Sequence, residues 1–445
     1  MDEKQLRALA GEMIRQLDTQ RRGLALYKDY YDGRFRVPYL PPSATEEFLK
    51  IMDRAKANWC RKVIDITARR LSVVGVRSNQ TPVGDLWDIW QRSKMDKRQG
   101  MTHRSAMRFG VAYVSVGEGR LRQDGSIAGS DISITPLSPM GVTHISDPSD
   151  PDVVLYAMRR WQDRSKRSFA YLWTPDEWIL FSGAVGSRNS ITTRGVHSLG
   201  RVPVVPFKNV PDEDGNYTSD LEIALPIQDR INQTIADRLM GQTYGAHRQR
   251  ALIGYPIEMD EDDQPKPPPF KPSVDRTWII EEENVKAHEF SETNIMPFIA
   301  ACEADIKHLA SLTDTPPQDL LGEMVNISAE ALKAAQSANT AKVKDRARTF
   351  GEDWEAVLNI AGDLSGIPAD DALEVVWEDN EPRSESELMD ALTKKRSLGV
   401  PLATIWAEMG YSPEMITTMQ DEFAKESAAA AAVQAAAFGV DVPTA

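Results

Sequence analysis

Chemistry needs side chains that can move a proton, hold a metal or attack an electrophile, and in this sequence such residues stand apart. The six histidines, His103, His144, His197, His247, His288 and His308, include no pair at the spacing that sets two metal ligands on one helix face. The HExxH pattern does not occur. Cys60 and Cys302 are too few for a disulfide framework or a thiolate zinc site, and they fit a reducing compartment. The P-loop pattern GxxxxGKS/T is absent, so no phosphate cradle of that kind is expected, and there is no GxSxG nucleophile elbow. Gly117-Glu118-Gly119 lacks the third glycine and the following helix of a dinucleotide loop and reads as a turn. Asp147, Asp150 and Asp152 sit in a proline-rich turn, where carboxylates serve turn geometry more often than a cation. The acidic run at residues 260–263 reads as a solvated loop edge. The expectation is therefore no catalytic residue, no metal site and no cofactor.

The elements that would position a site come in a definite order. Residues 1–110 read as helical. Between residues 57 and 71, Ala57, Cys60, Ile64, Thr67, Ala68 and Leu71 recur at three- and four-residue spacing and mark one buried face. Prolines at 38, 41 and 42 make residues 37–43 a linker. From residue 109 to about 208 the pattern turns to β. Strand formers fill residues 111–116, 131–135, 153–161, 169–173 and 178–181, with an Asp-Gly turn signal at Asp124-Gly125.

Helix returns at Thr218, with Ser219 or Asp220 as cap and Ile223, Ile227, Ile231, Ile235 and Leu239 as an apolar ladder ending at Gly245. Residues 251–290 are acidic and proline-rich, with Pro265, Pro267, Pro268, Pro269 and Pro272, so they form an extended insertion; residues 277–281 are a strand candidate within it. A second helix spans about 294–312 and stops at Thr313-Asp314-Thr315-Pro316-Pro317. A long alanine-rich helix starts at Ser328 and, unbroken to 361, would be about 50 Å long at ~1.5 Å per residue. Lys342, Lys344, Arg346 and Arg348 on it read as intersubunit ion-pair partners for carboxylates such as Glu352, Asp353 or Glu355. The final 80 residues read as helical, with an alanine-rich end. The fold class is α+β, mostly helical.

A chain of 445 residues with 41% apolar and 27% charged residues has room for more than one core. Its 66 acidic against 52 basic residues give a net charge of -14, which excludes a broad basic nucleic-acid surface and leaves room for a local basic lining. No secretory signal peptide is expected, and the run at residues 428–438 is too short and weakly apolar to span a bilayer.

Four stretches carry a family resemblance. They are Tyr30-Tyr31-Asp32-Gly33, then Asn58-Trp59-Cys60-Arg61-Lys62-Val63-Ile64-Asp65, then residues 197–209 (His197 through Arg201-Val202-Pro203 to Asn209), and finally Thr313 through Pro317 with Asn326 through Lys333. In this order and spacing the chain resembles the portal proteins of tailed bacteriophages, the head-to-tail connectors found in phages of Gram-positive hosts. The resemblance implies a portal-type ring subunit with wing, stem, clip and crown regions and a long helical spine. It implies a ring of about twelve subunits at one capsid vertex, with double-stranded DNA passing through its channel during packaging and ejection. Implied partners are the terminase large subunit, a head-tail adaptor, and the major capsid and scaffolding proteins, with no membrane. Implied locations are the virion and, during assembly, the host cytoplasm.

Mapped onto this chain, the wing is 1–217 with its β-rich part at 109–208, and the stem helices are 218–250 and 291–312. The clip is 251–290, the tunnel loop 313–327, the spine helix 328–362, and the crown and tail 363–445. The channel loop is then Thr315-Pro316-Pro317-Gln318-Asp319-Leu320-Leu321-Gly322-Glu323-Met324-Val325-Asn326. Candidate stem residues facing DNA are Arg230, Arg238, Arg248, Arg250, Lys307 and His308, with pairing to Asp229, Asp237 or Asp305 as the competing reading. Two other functions remain open on the residues alone: a cytosolic hydrolase with an unrecognised carboxylate site, and a helical scaffold or adaptor.

Overall fold

The computed structural model describes residues 1–35, 46–78, 83–122, 127–183, 191–197, 199–245, 250–253, 286–289, 294–322, 329–378, 385–409, 415–416 and 418–427. The chain divides into two units, Met1–Asp379 and Asn380–Ala445.

The first unit begins with α1 (Glu3–Tyr31), α2 (Glu46–Arg54) and α3 (Trp59–Ala68), then β1 (Val73–Arg77), α4 (Gly84–Arg92) and α5 (Met95–Phe109). Asp2 starts α1 with a capping box, its carboxylate accepting from Gln5 N at 2.7 Å while Gln5 Oε1 accepts from Asp2 N at 3.0 Å. Asn58 starts α3 in the same manner, accepting from Arg61 N at 3.0 Å. The expected face is there: Cys60, Ile64, Thr67, Ala68 and Leu71 are buried, and Val63 joins them. The expected linker at residues 37–43 lies outside the described residues.

Gly110 ends α5 at φ +84°, and a Cβ there would fall 2.9 Å from the Tyr217 ring and 3.2 Å from the Thr218 carbonyl carbon. The β block follows as expected, except that Gly117-Glu118-Gly119, expected as a turn, continues a strand and pairs with Ser133 and Ile132. It comprises β2 (Val111–Leu121), β3 (Ile127–Leu137), β4 (Val142–Asp147), β5 (Asp150–Gln162), β6 (Ser168–Trp173), β7 (Glu177–Ser182), β8 (Ile191–Val196) and β9 (Val204–Lys208). These form a three-stranded sheet in the order β3-β2-β9 and a five-stranded sheet in the order β4-β5-β6-β7-β8, all antiparallel. The Asp124-Gly125 turn lies outside the described residues. Helix α1 lays Leu6, Ala10 and Met13 against Met158, Leu172, Ile179 and Phe181 of the five-stranded sheet.

The chain then enters α6 (Ala224–Gly245), β10 (Arg250–Ile253), β11 (Lys286–Glu289), α7 (Met296–Leu312), α8 (Pro317–Leu321), α9 (Ala329–Ser365) and β12 (Glu374–Trp377). Helix α6 starts at Ala224 rather than near Thr218; residues 219–224 form turns instead, with Ser219 Oγ accepting from Leu221 N at 3.1 Å. Ser219 Oγ donates to Arg108 O at 2.6 Å, and Asp220 enters a buried ion cluster. Ile223 therefore falls outside the helix and is 55% exposed, while Ile227, Ile231 and Ile235 are buried. Strands β10 and β11 pair antiparallel at the base of the expected insertion, and the strand candidate at 277–281 lies outside the described residues. At 37 residues α9 is about 55 Å long at ~1.5 Å per residue.

Two strands depart from the helical reading of the chain's ends. β1 pairs antiparallel with β12, Val76 opposite Val375, across some 300 positions of sequence. Each is only four or five residues long, so its alternation carries little signal by itself. The main core gathers α3, α4, α5, β2, α6, α7 and α9 around Trp90, Trp354, Phe207 and Phe350. In the second unit, α10 (Glu385–Ser397) carries Lys394, Lys395 and Arg396 in its last turn, suited to the negative end of the helix, and α11 (Leu402–Glu408) follows. No helix among the described residues is long and apolar enough to cross a membrane.

Candidate functional site

The candidate channel elements are α6, α7 and the segment after α7. The two helices pack through Ile231 and Ile235 on one side and Ile306 and Leu309 on the other, all buried. Arg230 Nε lies 2.8 Å from Asp305 Oδ1, so its charge is met within the helix pair, as the competing reading had it. Arg238 is half-buried, with its Nε enclosed and without a hydrogen bond. Lys307 and His308 are exposed on α7. Arg250 opens β10, and Arg248 lies outside the described residues.

The segment after α7 is held at several points. Thr313 Oγ1 donates to Leu309 O at 2.7 Å, and Thr315 N donates to Ala310 O at 2.9 Å. Asp314 takes the left-handed conformation at φ +50°, and Asn339 Nδ2 of α9 donates to its carbonyl at 3.1 Å. Lys342 Nζ donates to Thr313 O at 3.1 Å. Pro317 occupies the first turn of α8, where a missing N–H costs no helical bond. Thus Pro317–Leu321, expected as loop, is a short helix. Lys62 Nζ of α3 donates to Asp319 O at 2.8 Å. Thr315, Pro316 and Leu320 are buried, Gln318 and Asp319 half-buried, and Gly322 ends the helix at φ +76°. Glu323, Met324, Val325 and Asn326 lie outside the described residues.

Behind this segment lies a buried ion cluster that joins three parts of the chain. Lys342 Nζ is 2.8 Å from Asp220 Oδ2, and an Arg346 guanidinium nitrogen is 3.3 Å from Asp220 Oδ1; all three side chains are less than 10% exposed. Asn209 Nδ2 adds a bond to Asp220 Oδ1 at 2.9 Å. Burial by itself would raise the Asp220 carboxyl, but the Lys342 and Arg346 cations outweigh it and hold it below the usual range. This corrects the expectation that Lys342 and Arg346 serve Glu352, Asp353 or Glu355 of a neighbour. The available signal was their i,i+4 spacing, which puts both on one helix face.

The quoted motifs sit at joints of this kind. Tyr30 OH donates to Asp229 of α6 at 2.6 Å, and Asn58 Nδ2 donates to Tyr31 O at 2.9 Å. Arg201 pairs with Asp363 near the end of α9.

Groups that might have done chemistry are otherwise engaged. Burial, with the Asp229 carboxylate second, pushes the Cys60 thiol up to about 12, far from a thiolate. Burial holds His103 down at about 3, and burial with Lys208 holds His144 at about 4. Asp147 and Asp150 accept from Ser149 N and Asp152 N at 2.7 and 3.1 Å, which is turn chemistry. No group of three or more His, Cys, Asp or Glu residues suited to a metal ion occurs among the described residues.

Asp353 on α9 is the exception among the carboxylates. Its Oδ2 is enclosed without a hydrogen bond, and burial, then Asp152, raises its carboxyl well above the usual range despite Lys208 nearby. A carboxyl raised in the folded state costs stability as pH rises above its unfolded value of about 3.9. Asp353→Asn is therefore expected to raise the denaturation midpoint at pH 7, with the gain vanishing toward pH 4. A lower midpoint at pH 7 would contradict the assignment.

The sequence profile of the phage portal protein family, SPP1 Gp6-like, matches residues 11–431. The chain belongs to this family of phage portal proteins. It is 27% identical over 427 residues to the portal protein of Mycobacterium phage L5, covering 90% of this chain and 85% of that one. It is also 27% identical over 425 residues to the portal protein of Mycobacterium phage D29, with the same coverage. A chain in the neck of a native GTA particle computed with C12 symmetry is 13% identical, with a TM-score of 0.47, over 84% of this chain and 96% of that one. Portal proteins are structural assembly components of the virion, and the hydrolase and scaffold alternatives are not favoured.

Proposed function

We propose that the chain assembles into a ring of about twelve copies at one capsid vertex and that double-stranded DNA passes through its channel in packaging and ejection. The ring has no catalysis of its own and is driven by a separate packaging ATPase, the terminase large subunit. It also docks a head-tail adaptor and contacts the major capsid and scaffolding proteins, assembling in the host cytoplasm. In this reading residues 1–217 and 328–362 are wing and spine, 218–250 and 291–312 the stem, 251–290 the clip, 313–327 the tunnel loop, and 363–445 the crown and tail.

The family match across residues 11–431 carries the proposal. The net charge of -14 agrees with it, since DNA that must slide should meet few phosphate-binding cations. Only charges within about 8–10 Å of the DNA matter at physiological salt. Of the stem candidates, exposed Lys307 and His308 are free to serve as such lining, whereas Arg230 is committed to Asp305.

Electron microscopy with mass photometry on the purified protein tests the assembly. The expected result is rings of about twelve subunits with an open channel. Monomers or dimers that persist when scaffolding and capsid proteins are supplied would overturn it.

A further inference from the structure

Two adjoining hollows of about 400 and 230 Å³ open where β2 parts from β9, and both are walled by Gly117, Glu118, Tyr171 and Trp173. The β2–β9 ladder ends at Ser115 opposite Val204, with Val116 N–H donating to Pro203 O at 3.0 Å. Main-chain groups alternate sides along a strand, so the N–H and C=O of Glu118 face the same side as those of Val116. No strand lies beside them there among the described residues. A Cβ built on Gly117 would meet nothing within 4 Å, so the sheet face beside this edge is open at Gly117.

The facing wall is aromatic. Trp178 stacks on Tyr171 at 5.3 Å on one side and lies against Gly195 on the other, where an added Cβ would come within 2.4 Å of the indole. Tyr171 and Trp173 are themselves 5% and 8% exposed. The rings therefore offer edges and clefts, with little free face.

The groove is also short of negative charge. Arg159 is half-buried in its wall, with its guanidinium 5.4 Å from the Trp161 ring and no carboxylate paired with it among the described residues. Arg98 joins it from α5, its guanidinium donating to Ile134 O at 3.4 Å. Glu118, exposed at the rim, is the one acidic residue among the described residues of the lining. A half-buried cation with no paired carboxylate among the described residues favours an occupant that brings the anion.

We propose that this groove docks an extended segment of a separate protein, one carrying a carboxylate for Arg159 and an adjacent apolar or proline side chain for the clefts between Tyr171, Trp173 and Trp178. The segment's main chain adds to the open edge of β2. Such an edge supplies hydrogen bonds for affinity, and pockets on alternate side chains supply specificity. Single-stranded nucleic acid suits the groove less, because stacking bases need free aromatic faces. The inference depends on neither a ring nor a channel, so a chain that failed to form rings would still bind the segment.

The test pans a displayed library of random short peptides on the full-length protein and measures the enriched peptides by fluorescence polarisation. The expected peptides share an Asp or Glu beside an apolar residue or proline. Arg159→Glu weakens them by about tenfold or more, and changing the peptide's acid to lysine restores binding to that variant. Circular dichroism checks that Arg159→Glu folds, and Arg98→Glu serves as the second reversal if it does not. Enriched peptides without an acid, or binding indifferent to both reversals, would overturn the proposal. So would tighter binding of oligothymidine than of any peptide. Loss of peptide binding on assembly of the chain alone would also overturn it, since the occupant would then be a second copy.

Discussion

Asp220→Ala is expected to lower the stability of the first unit by about 3–5 kcal/mol, because it removes the buried carboxylate that Lys342 and Arg346 share and leaves Arg346 only the exposed Asp345 at 2.8 Å. Lys342 and Arg346 both reach Asp220, and each is under 10% exposed. A whole domain is typically stable by only about 5–15 kcal/mol, so this loss is a large share of the total. The pH dependence has a definite sign. The Asp220 carboxyl is lowered in the folded state, so its contribution is full above the unfolded value of about 3.9 and is lost as pH falls below it. Chemical denaturation at pH 7 should show the midpoint fall with little change in slope. Replacing all three residues together, Asp220→Leu with Lys342→Met and Arg346→Met, should recover most of the loss. A single variant within about 0.5 kcal/mol of the parent would show that water or rearrangement satisfies the cations.

The cluster also shows what a sequence conceals. Asp220 lies more than a hundred positions from its partners and looks like a helix cap, a role that local pattern assigns by default. The competition between capping and a buried cation is settled only by tertiary placement. The same holds for the strand pair at Val76 and Val375, too short to announce itself and completed by a partner from the other end of the unit. What was legible was long or rich in strand formers: the face on α3, five of the strands between Val111 and Ser182, and the spine helix. The break after α7 was legible because prolines at 316 and 317 bar its continuation. The individual roles of the channel candidates were not, since the burial of Leu320 and the pairing of Arg230 with Asp305 depend on neighbours that sequence spacing does not reveal.

Trp354→Ala should be the most damaging single change on the spine. Trp354 is fully buried, edge-on to Trp90 at 5.0 Å and to Phe207 at 4.6 Å, so it binds α9 to α4 and β9 at once. Its Nε1–H donates to His103 Nε2 at 2.9 Å. Burial keeps His103 neutral down to about pH 3, which makes Nε2 an acceptor and puts the ring proton on Nδ1, facing Leu71 O at 3.2 Å. Truncation to alanine removes a large core side chain, costing about 3–5 kcal/mol, and orphans the buried His103 acceptor, costing about 1–3 kcal/mol more. Trp354→Phe keeps most of the ring contact and loses the hydrogen bond, so it should cost clearly less. Urea denaturation followed by far-ultraviolet circular dichroism separates the two terms. A loss below about 1 kcal/mol for the alanine variant would mean the pocket collapses around the gap and the tryptophan does not latch the helix. With the expected loss, α9 also loses its grip on the residues it holds at its other end, Thr313 and Asp314 through Lys342 and Asn339. If the chain forms the ring proposed above, assembly should then fail along with the fold, and the phenylalanine variant should retain it.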